Sequence, residues 1–538
     1  MKTFGCDKIM MNDRSNEIEK QRNCLIQGGG AGQIKKQHQR GKLTARERVN
    51  KLFDPGTFRE VDLWIKPLKT GFDVDQREAP GDGVVTGFGK VAGRLMYAYA
   101  HDYTVLGGAM SIGQIHKVTR VMEKALEARV PCIGLIDSGG IKIQDWFGRP
   151  GLKPILSGGL GVGFTSGVFP APAISSGVIP QISLMLGPCY AGSAYSPTMA
   201  DFVVMRRGTS FMSVAPPSLL KTVTFADVTQ EEIGGAEFHA TVTGTADYLA
   251  DTDEDAIEFC RELLSYLPSN NGEKAPAVRT KGGIKQPDES IAHVVSPDLA
   301  KPYDMHEIIR RIVDNGRFLE IQSLFARHLI IGFARLAGQT IGIVANNKMV
   351  LDGILNLDSC DKQARFIRFC DAFNIPLVTL VDTPGFQSNI DEERSGNGLI
   401  RTAAKPVFAI CEATVPMIVV YIGQCEGPAR MVMGTQRMGI DFAYCWPTAQ
   451  VARMDLEEAT MRILHGGADS EDGPAEGKVH EDFKQKYFRY PFNAGEQLLA
   501  NDIIDPKDTR PMIIDALELL ANKNTLPRPG KKHSLVPQ

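Results

Sequence analysis

The chain repeats itself loosely about halfway along, and that repetition narrows the folds open to it more than any other feature. The runs GRLMYAYAHDYT and VPCIGLIDSGG, beginning at Gly93, are echoed by GQTIGIVANNKM and IPLVTLVDTPG, beginning at Gly338. The offset of 245 (338 − 93) also separates Pro131 from Pro376 and Asp137 from Asp382. A second echo, IPQISLMLGPCYAG from Ile179 against VPMIVVYIGQCEGP from Val415, has an offset of 236 (415 − 179). An offset that changes only between segments marks loops of unequal length in two copies of one fold. Solenoid repeats run to a few tens of residues, so a period this long is a duplicated domain. Two related domains invite a site to which each copy supplies half of the chemistry.

Within each copy, apolar β-rich runs alternate with helical patterns. VPCIGLID is the continuous apolar run of a strand buried on both faces, and it follows the helical IHKVTRVMEKALEAR. The second copy gives DKQARFIRFCDAFN, then IPLVTLVD, then VPMIVVYIG. This alternation predicts an α/β fold. A polar stretch rich in Gly, Pro and Lys, LPSNNGEKAPAVRTKGGIKQPDES, parts the copies. The expected organisation is a charged, helical, peripheral arm over 1–60, a first domain over 61–266, a linker over 267–302 and a second domain over 303–538. The turns Asp54-Pro-Gly56 and Asp314-Asn-Gly316 occupy matching places, so the duplication reaches back to the end of the arm.

Composition closes off several classes of function. A length of 538 residues gives each domain enough chain to bury a core. A net charge of −3 provides no basic field for nucleic acid. No run of about 18 apolar residues is present to cross a membrane, and the N-terminus lacks the apolar core of a secretory signal. The ten cysteines are scattered, several of them in apolar runs (Cys132, Cys189, Cys445), with no CxxC pair or His cluster. Buried thiols in a reducing cytoplasm, with no metal site, are therefore expected.

The chemistry is concentrated in loops. In the first copy two strands end in Asp137-Ser-Gly-Gly140 and Gly187-Pro-Cys-Tyr-Ala-Gly-Ser193. In the second they end in Asp382-Thr-Pro-Gly-Phe386 and Gly423-Gln-Cys-Glu-Gly-Pro-Ala429. Small residues after a buried strand let backbone N–H groups point into a cavity, and a following helix start adds a positive dipole end. Two such loops converging make an oxyanion hole suited to a thioester carbonyl that becomes an enolate. Tight strand–helix packing would also explain single glycines. The basic run holding Lys35, Lys36, Arg40 and Lys42 reads either as a solvated face or as a surface for a phosphorylated ligand.

These residues resemble one family. GKLTARERVNKLFDPGTF, HDYTVLGGAMS, LIDSGG, GVIPQISLMLGPCYAGSAYSP, SCDKQARFIRFCDAFNIPLVTLVDTPGF, WPTAQVARM and DIIDPKDTRP follow, in order and at the expected spacing, a family pattern. It is that of the carboxyltransferase (β) subunits of biotin-dependent acyl-CoA carboxylases and the related transcarboxylase and decarboxylase subunits. The likeness runs from Lys35 to the C-terminus. It implies two tandem crotonase-like domains, a homohexamer, and a carboxyl group moving between biotin on a partner and the α-carbon of an acyl-CoA. Biotin's ureido nitrogen would take the α-proton, so no protein base is required. The thioester oxygen would fall to N–H groups of Gly139, Gly140, Ile141, Tyr190, Ala191 and Gly192, and the CoA phosphates to Lys35, Lys36, Arg40 and Lys42. On the biotin side would stand Gly385, Phe386, Glu426 and Pro428, with Gly427 and Ala429 as donors. The chain has no Met-Lys-Met attachment site and no G-x-x-x-x-G-K-[ST] loop. The biotin carrier and the biotin carboxylase or decarboxylase subunits would thus be other chains.

Departures from the family pattern cluster in the loops. Cys-Ala-Gly-Gly-Ala of the family becomes Cys189-Tyr190-Ala191-Gly192-Ser193, which keeps the backbone donors and adds bulk at Tyr190. A Gly-rich stretch over 151–172 is longer than the family's. The family's Arg-Lys-Ala-Tyr-Gly-Gly-Ala-Tyr becomes Gly423-Gln424-Cys425-Glu426-Gly427-Pro428-Ala429-Arg430, losing the basic pair and placing a proline, which has no N–H. Ile-Arg-His-Gly-Ala-Lys becomes Ile400-Arg401-Thr402-Ala403-Ala404-Lys405. The alternative these changes raise is a biotin-independent acyl-CoA decarboxylase, or another CoA-thioester enzyme, on the same scaffold. A non-catalytic scaffold subunit is a third reading.

Overall fold

The computed structural model describes residues 4–147, 167–279, 285–296, 298–299, 301–387, 389–395, 398–454, 459, 485–488, 490, 492–523, 530 and 532–537; most of the Gly-rich stretch 151–172 lies outside them. The chain divides into two compact units, Met1–Ser265 and Tyr266–Gln538. In the first, strands β1 (Arg59–Val61), β2 (Val84–Val91), β3 (Arg94–His101), β4 (Cys132–Ile136), β5 (Gln181–Met185), β7 (Phe202–Arg206) and β9 (Tyr248–Ala250) form one sheet in that order. Short strands β6 (Pro188–Tyr190) and β8 (Phe211–Ser213) pair beside it. β1–β3 are antiparallel and the rest parallel. Every residue of β4, β5 and β7 is buried, as their unbroken apolar runs require.

The second unit repeats the plan. Strands β10 (Phe318–Ile321), β11 (Leu329–Leu336), β12 (Gln339–Asn346), β13 (Leu377–Thr383), β14 (Met417–Cys425), β15 (Phe442–Cys445) and β17 (Asp502–Ile503) lie in that order, with β16 (Gln450–Val451) beside β14. Again the first three are antiparallel and the others parallel. This is the duplicated α/β architecture that the offsets predict.

The correspondence extends to single hydrogen bonds. Ala92 and Gly93 join β2 to β3 at φ +47° and +80°, and Ala337 and Gly338 join β11 to β12 at +51° and +82°. Left-handed values at both central residues match the twist of a two-residue hairpin. Asp54 accepts the N–H groups of Ala92 and Gly93, and Asp314 those of Ala337 and Gly338. Ser111 caps the helix Ile112–Ala128, and Asn356 caps its counterpart Leu357–Ala372. Each helix buries one ammonium among carbonyl oxygens. Lys117 donates to Gly81 (2.9 Å) and Val84 (2.5 Å), and Lys362 to Gln322 (2.9 Å), Phe325 (2.7 Å) and Leu329 (2.7 Å). Burial draws the Lys117 pKa down to about 8.

The N-terminal residues are helical as expected, in α1 (Phe4–Leu25), α2 (Gly30–Gln39) and α3 (Ala45–Leu52). They are not all peripheral. A Thr44–Glu47 capping box starts α3, whose Ala45, Arg48, Val49 and Leu52 are buried. An arginine enters this core because carboxylates wait for it there. Among the described residues, no helix is long and apolar enough to cross a membrane.

One surface group ties stability to pH. The half-buried His306 ring contacts Asp304 through Nδ1 (2.7 Å) and Glu320 through Nε2 (3.0 Å). The Glu320 bond raises its pKa, with burial opposing and Asp304 assisting. A raised folded-state pKa gives stability that is complete below the ordinary imidazole value of about 6.5 and is lost as pH rises through the folded value. Because the group is partly exposed, the gain is below about 1 kcal/mol. His306→Gln should therefore lower the melting temperature at pH 5.5 and leave it unchanged at pH 9; a gap equal at both values would contradict this.

Candidate functional site

Each unit places a fully buried aspartate at the C-terminal end of its central strand, against a glycine near the C-terminal end of the next one. In the first unit a Cβ on Gly187 would fall 1.8 Å from Asp137 Oδ1. The carboxylate is held by Lys42 Nζ (2.6 Å) on Oδ1, and by Arg48 Nη1 (2.9 Å) and Gln37 Nε2 (3.0 Å) on Oδ2. Arg48 reaches on to Asp253 (2.7 Å), which also takes Arg206 (2.6 Å) and the Leu43 N–H (3.0 Å). Buried charges survive only when paired and hydrogen-bonded. This network clamps α2 and α3 to the strand ends. It also corrects the expected role of Lys42, whose side chain is 4% exposed and committed to Asp137. Burial lowers its pKa against the pull of Asp137. It is a structural cation, not a free phosphate ligand.

The two loops above Asp137 converge. A Cβ on Gly192 would lie 3.6 Å from Ile141 Cδ1. Of the six donors expected here, three are already used. Gly139 N–H donates to Gly107 O (2.8 Å), Ala191 N–H to Ser213 O (3.0 Å) and Gly140 N–H to Ser138 Oγ (3.2 Å). Tyr190 belongs to the β6–β8 pairing. The N–H groups of Ile141 and Gly192 have no partner among the described residues. Ala191 sits at φ +50° and its C-terminal neighbour opens the helix Gly192–Thr198, so the Gly192 N–H adds to that helix's positive end. Of the six expected donors, these bonds leave Ile141 in one loop and Gly192 in the other open. The Tyr190 ring packs on Phe211 at 4.9 Å, and its hydroxyl accepts from Gln230 Nε2 (2.5 Å). Burial holds the Cys189 thiol up at about 11.

A cavity of about 630 Å³ opens beside Ile141, lined among others by Lys36, Arg40, Gln33, Tyr103, Leu106 and Lys142. Two of the four expected cations line it. Lys35 is exposed and lines no part of it. Tyr103 carries no site signal of its own in the sequence beyond its place in the run HDYTVLGGAMS. It carries Arg40 at 5.5 Å and Lys42 at 4.7 Å over its ring, joining the buried network to the cavity wall.

In the second unit a Cβ on Gly423 would fall 2.2 Å from Asp382 Oδ2. Asp382 accepts from Tyr303 Oη (2.8 Å), Lys348 Nζ (3.2 Å) and the Gln424 N–H (2.9 Å). Burial raises its pKa, and Lys348 opposes the rise. Phe386 bridges Leu355 as Ile141 bridges Met110, and Gly427 has φ +57° where Ala191 has +50°. Pro428 therefore takes the place of Gly192. It sits exposed in the first turn of the helix Gly427–Met433, where a missing N–H breaks no intrahelical bond. The N–H groups of Gly427 and Ala429 have no partner among the described residues. A Cβ on Gly385, at φ +147°, would meet open space, and Glu426 is half-buried at the N-cap.

Known proteins carry the same pattern. Residues 36–536 match the carboxyl transferase domain family. The chain is 39% identical to a propionyl-CoA carboxylase carboxyltransferase subunit of Haloferax mediterranei, over 98% of this chain and all of that one. It is 41% identical to a methylmalonyl-CoA decarboxylase subunit alpha of Veillonella parvula, over 95% of this chain and 96% of that one. A transcarboxylase 12S crystal structure with methylmalonyl-coenzyme A and methylmalonic acid bound, described as a hexamer assembly, matches at a TM-score of 0.90 and 38% identity. It covers 98% of this chain and 99% of that chain.

The glycines above the aspartates are testable by stability alone. Gly187→Ala and Gly423→Ala each drive a methyl into a buried carboxylate and should cost about 3 kcal/mol or more, the upper range for overpacking. Gly192→Ala meets only ordinary contact and should leave the melting temperature unchanged. An unchanged melting temperature for Gly187→Ala would contradict the assignment.

Proposed function

This chain belongs to the carboxyl transferase family, and from that premise we propose that it moves a carboxyl group between biotin on a partner chain and the α-carbon of a methylmalonyl-CoA or propionyl-CoA type thioester. The observation that carries the reading is the meeting of Ile141 and Gly192, two N–H donors with no partner among the described residues, beside a cavity lined by Lys36 and Arg40. The CoA phosphates belong with Lys36 and Arg40. The thioester oxygen belongs with the N–H groups of Ile141 and Gly192, which stabilise it as the α-carbon gains carbanion character and charge moves onto that oxygen. Such donors act by being in place before the charge develops.

The second unit fits a ureido group through the buried N–H groups of Gly427 and Ala429, which have no partner among the described residues. Biotin, when bound there, would supply a ureido nitrogen that accepts the carboxyl group or, as carboxybiotin, gives it up, and that can exchange a proton with the α-carbon. The chain's own part is to orient and to stabilise oxyanions, which agrees with the absence of a nucleophile–base pair from the described loops. We propose that it works as a homohexamer in the cytoplasm, with biotin-bearing partner subunits.

The test is to incubate the purified protein with methylmalonyl-CoA and free biotin or a biotinylated carrier. Propionyl-CoA should appear in proportion to biotin and be suppressed by avidin. Turnover without biotin and insensitive to avidin would favour the biotin-independent reading, to which Pro428 in the place of Gly192 points.

Two variants probe the first unit. Ala191→Gly with Gly192→Pro copies the Gly427-Pro428 pair of the second unit, where the residue before the proline is a glycine, and removes one donor. It should lower kcat about 10²–10³-fold at unchanged melting temperature. A kcat within twofold of the parent would remove Gly192 from the hole. Lys36→Ala and Arg40→Ala should each raise KM for the CoA substrate about two- to fivefold, the scale of exposed ion pairs, and flatten its dependence on salt. Lys35→Ala should leave KM alone; the reverse pattern would move the phosphates elsewhere.

A further inference from the structure

The two buried aspartates receive their ammonium groups from different places in the chain. In the first unit it is Lys42, in the stretch between α2 and α3. In the second it is Lys348, two residues beyond the end of β12, at the position equivalent to Tyr103 by the 245 offset (348 − 103). The Lys348 side chain is 0% exposed and its ammonium is shared three ways. It donates to Asp382 Oδ1 (3.2 Å) and Gln424 Oε1 (3.0 Å), and Asp352 Oδ1 lies at 3.2 Å. Gln424 in turn gives its own N–H to Asp382 Oδ1 (2.9 Å).

These bonds join three pieces of backbone: the turn after β12, the loop that Asp382 begins, and the loop that runs through Gln424 to Gly427. The third leads to the N–H groups of Gly427 and Ala429, which have no partner among the described residues, and the second carries Gly385 and Phe386. Position 424 is also where the family pattern has the lysine of its Arg-Lys pair and this chain has glutamine. The loop's own sequence lacks that cation, and the Lys348 ammonium reaches the loop through the Gln424 amide.

We propose that Lys348 is a positioning residue of the carboxyl-donor loops, holding Gln424 and Asp382 together so that the Gly427 and Ala429 N–H groups keep one orientation. Its catalytic consequence rests on the function proposed above; its structural consequence does not. Without Lys348, Asp382 keeps only the Tyr303 hydroxyl and the Gln424 N–H, and the Gln424 side chain loses its partner.

The experiment is hydrogen–deuterium exchange on the full, ligand-free protein, paired with biotin-dependent turnover of methylmalonyl-CoA. Lys348→Gln should speed amide exchange over residues 424–430 roughly tenfold and lower kcat roughly tenfold or more, the scale of a lost hydrogen bond to a charged group. Exchange over residues 187–198 and KM for the CoA substrate should not change. Adding Gln424→Lys to Lys348→Gln restores an ammonium to Asp382 from the other side and should recover both readouts. If Lys348→Gln does not fold, Gln424→Leu, which removes only the acceptor, should itself loosen the same amides. Unchanged exchange in Lys348→Gln or Gln424→Leu, or a folded double variant no better than the single, overturns the proposal. Should the parent protein show no biotin-dependent turnover, the functional reading fails and the exchange arm still decides the role of Lys348.

Discussion

A carboxylate buried against a glycine organises both halves of this protein. Asp137 and Asp382 are each fully enclosed, and Gly187 and Gly423 must lack a Cβ for the next strand to pass over them. Burying a charge costs several kcal/mol unless it is paired, so each aspartate recruits cations and donors from distant segments. In the first unit that recruitment draws α2 and α3 onto the sheet through Lys42, Gln37 and Arg48. The loops that emerge above the carboxylate inherit their positions from it. Asp137 opens one loop and lies under the start of the other.

From this shared base the two sites diverge in ways that suit different ligands. The first offers the N–H groups of Ile141 and Gly192 and a cavity with Lys36 and Arg40 at its wall, which suits the thioester oxygen and phosphorylated carrier proposed for it. The second has proline where the first has Gly192, so its donors are the flanking Gly427 and Ala429. Proline costs the fold nothing there, because the first N–H groups of a helix have no internal partners. What it changes is chemistry, by deleting a donor that points out of the helix end. Duplication supplied the frame, and single positions within it set which N–H donors each half can offer to the oxyanions proposed for it.

Much of this was legible in the residues. Constant offsets exposed the duplication because loops, not strands, absorb insertions, and Asp137 with Asp382 and Gly187 with Gly423 fall out of that alignment directly. Pro428 was legible too, since a missing N–H is a property of the residue itself. Other features were hidden for a physical reason: they depend on partners far away in sequence. Whether the N–H of Gly139 or Ala191 is free turns on Gly107 and Ser213, which only the folded chain brings near. Lys42 reads as one more member of a basic run, and only its approach to Asp137 makes it structural. Lys348 carries no local signal at all, and Tyr103 is marked only by lying in a run that matches the family.

The central claim is that Ile141 and Gly192 hold the thioester oxygen. Its most direct test is a crystal or cryo-EM structure of the protein with methylmalonyl-CoA or a stable thioether or sulfonate analogue. The account predicts the thioester oxygen, or its stand-in, within about 3.2 Å of both N–H nitrogens, with the CoA phosphates beside Lys36 and Arg40. A ligand bound in the cavity with that oxygen turned away from both nitrogens would contradict it.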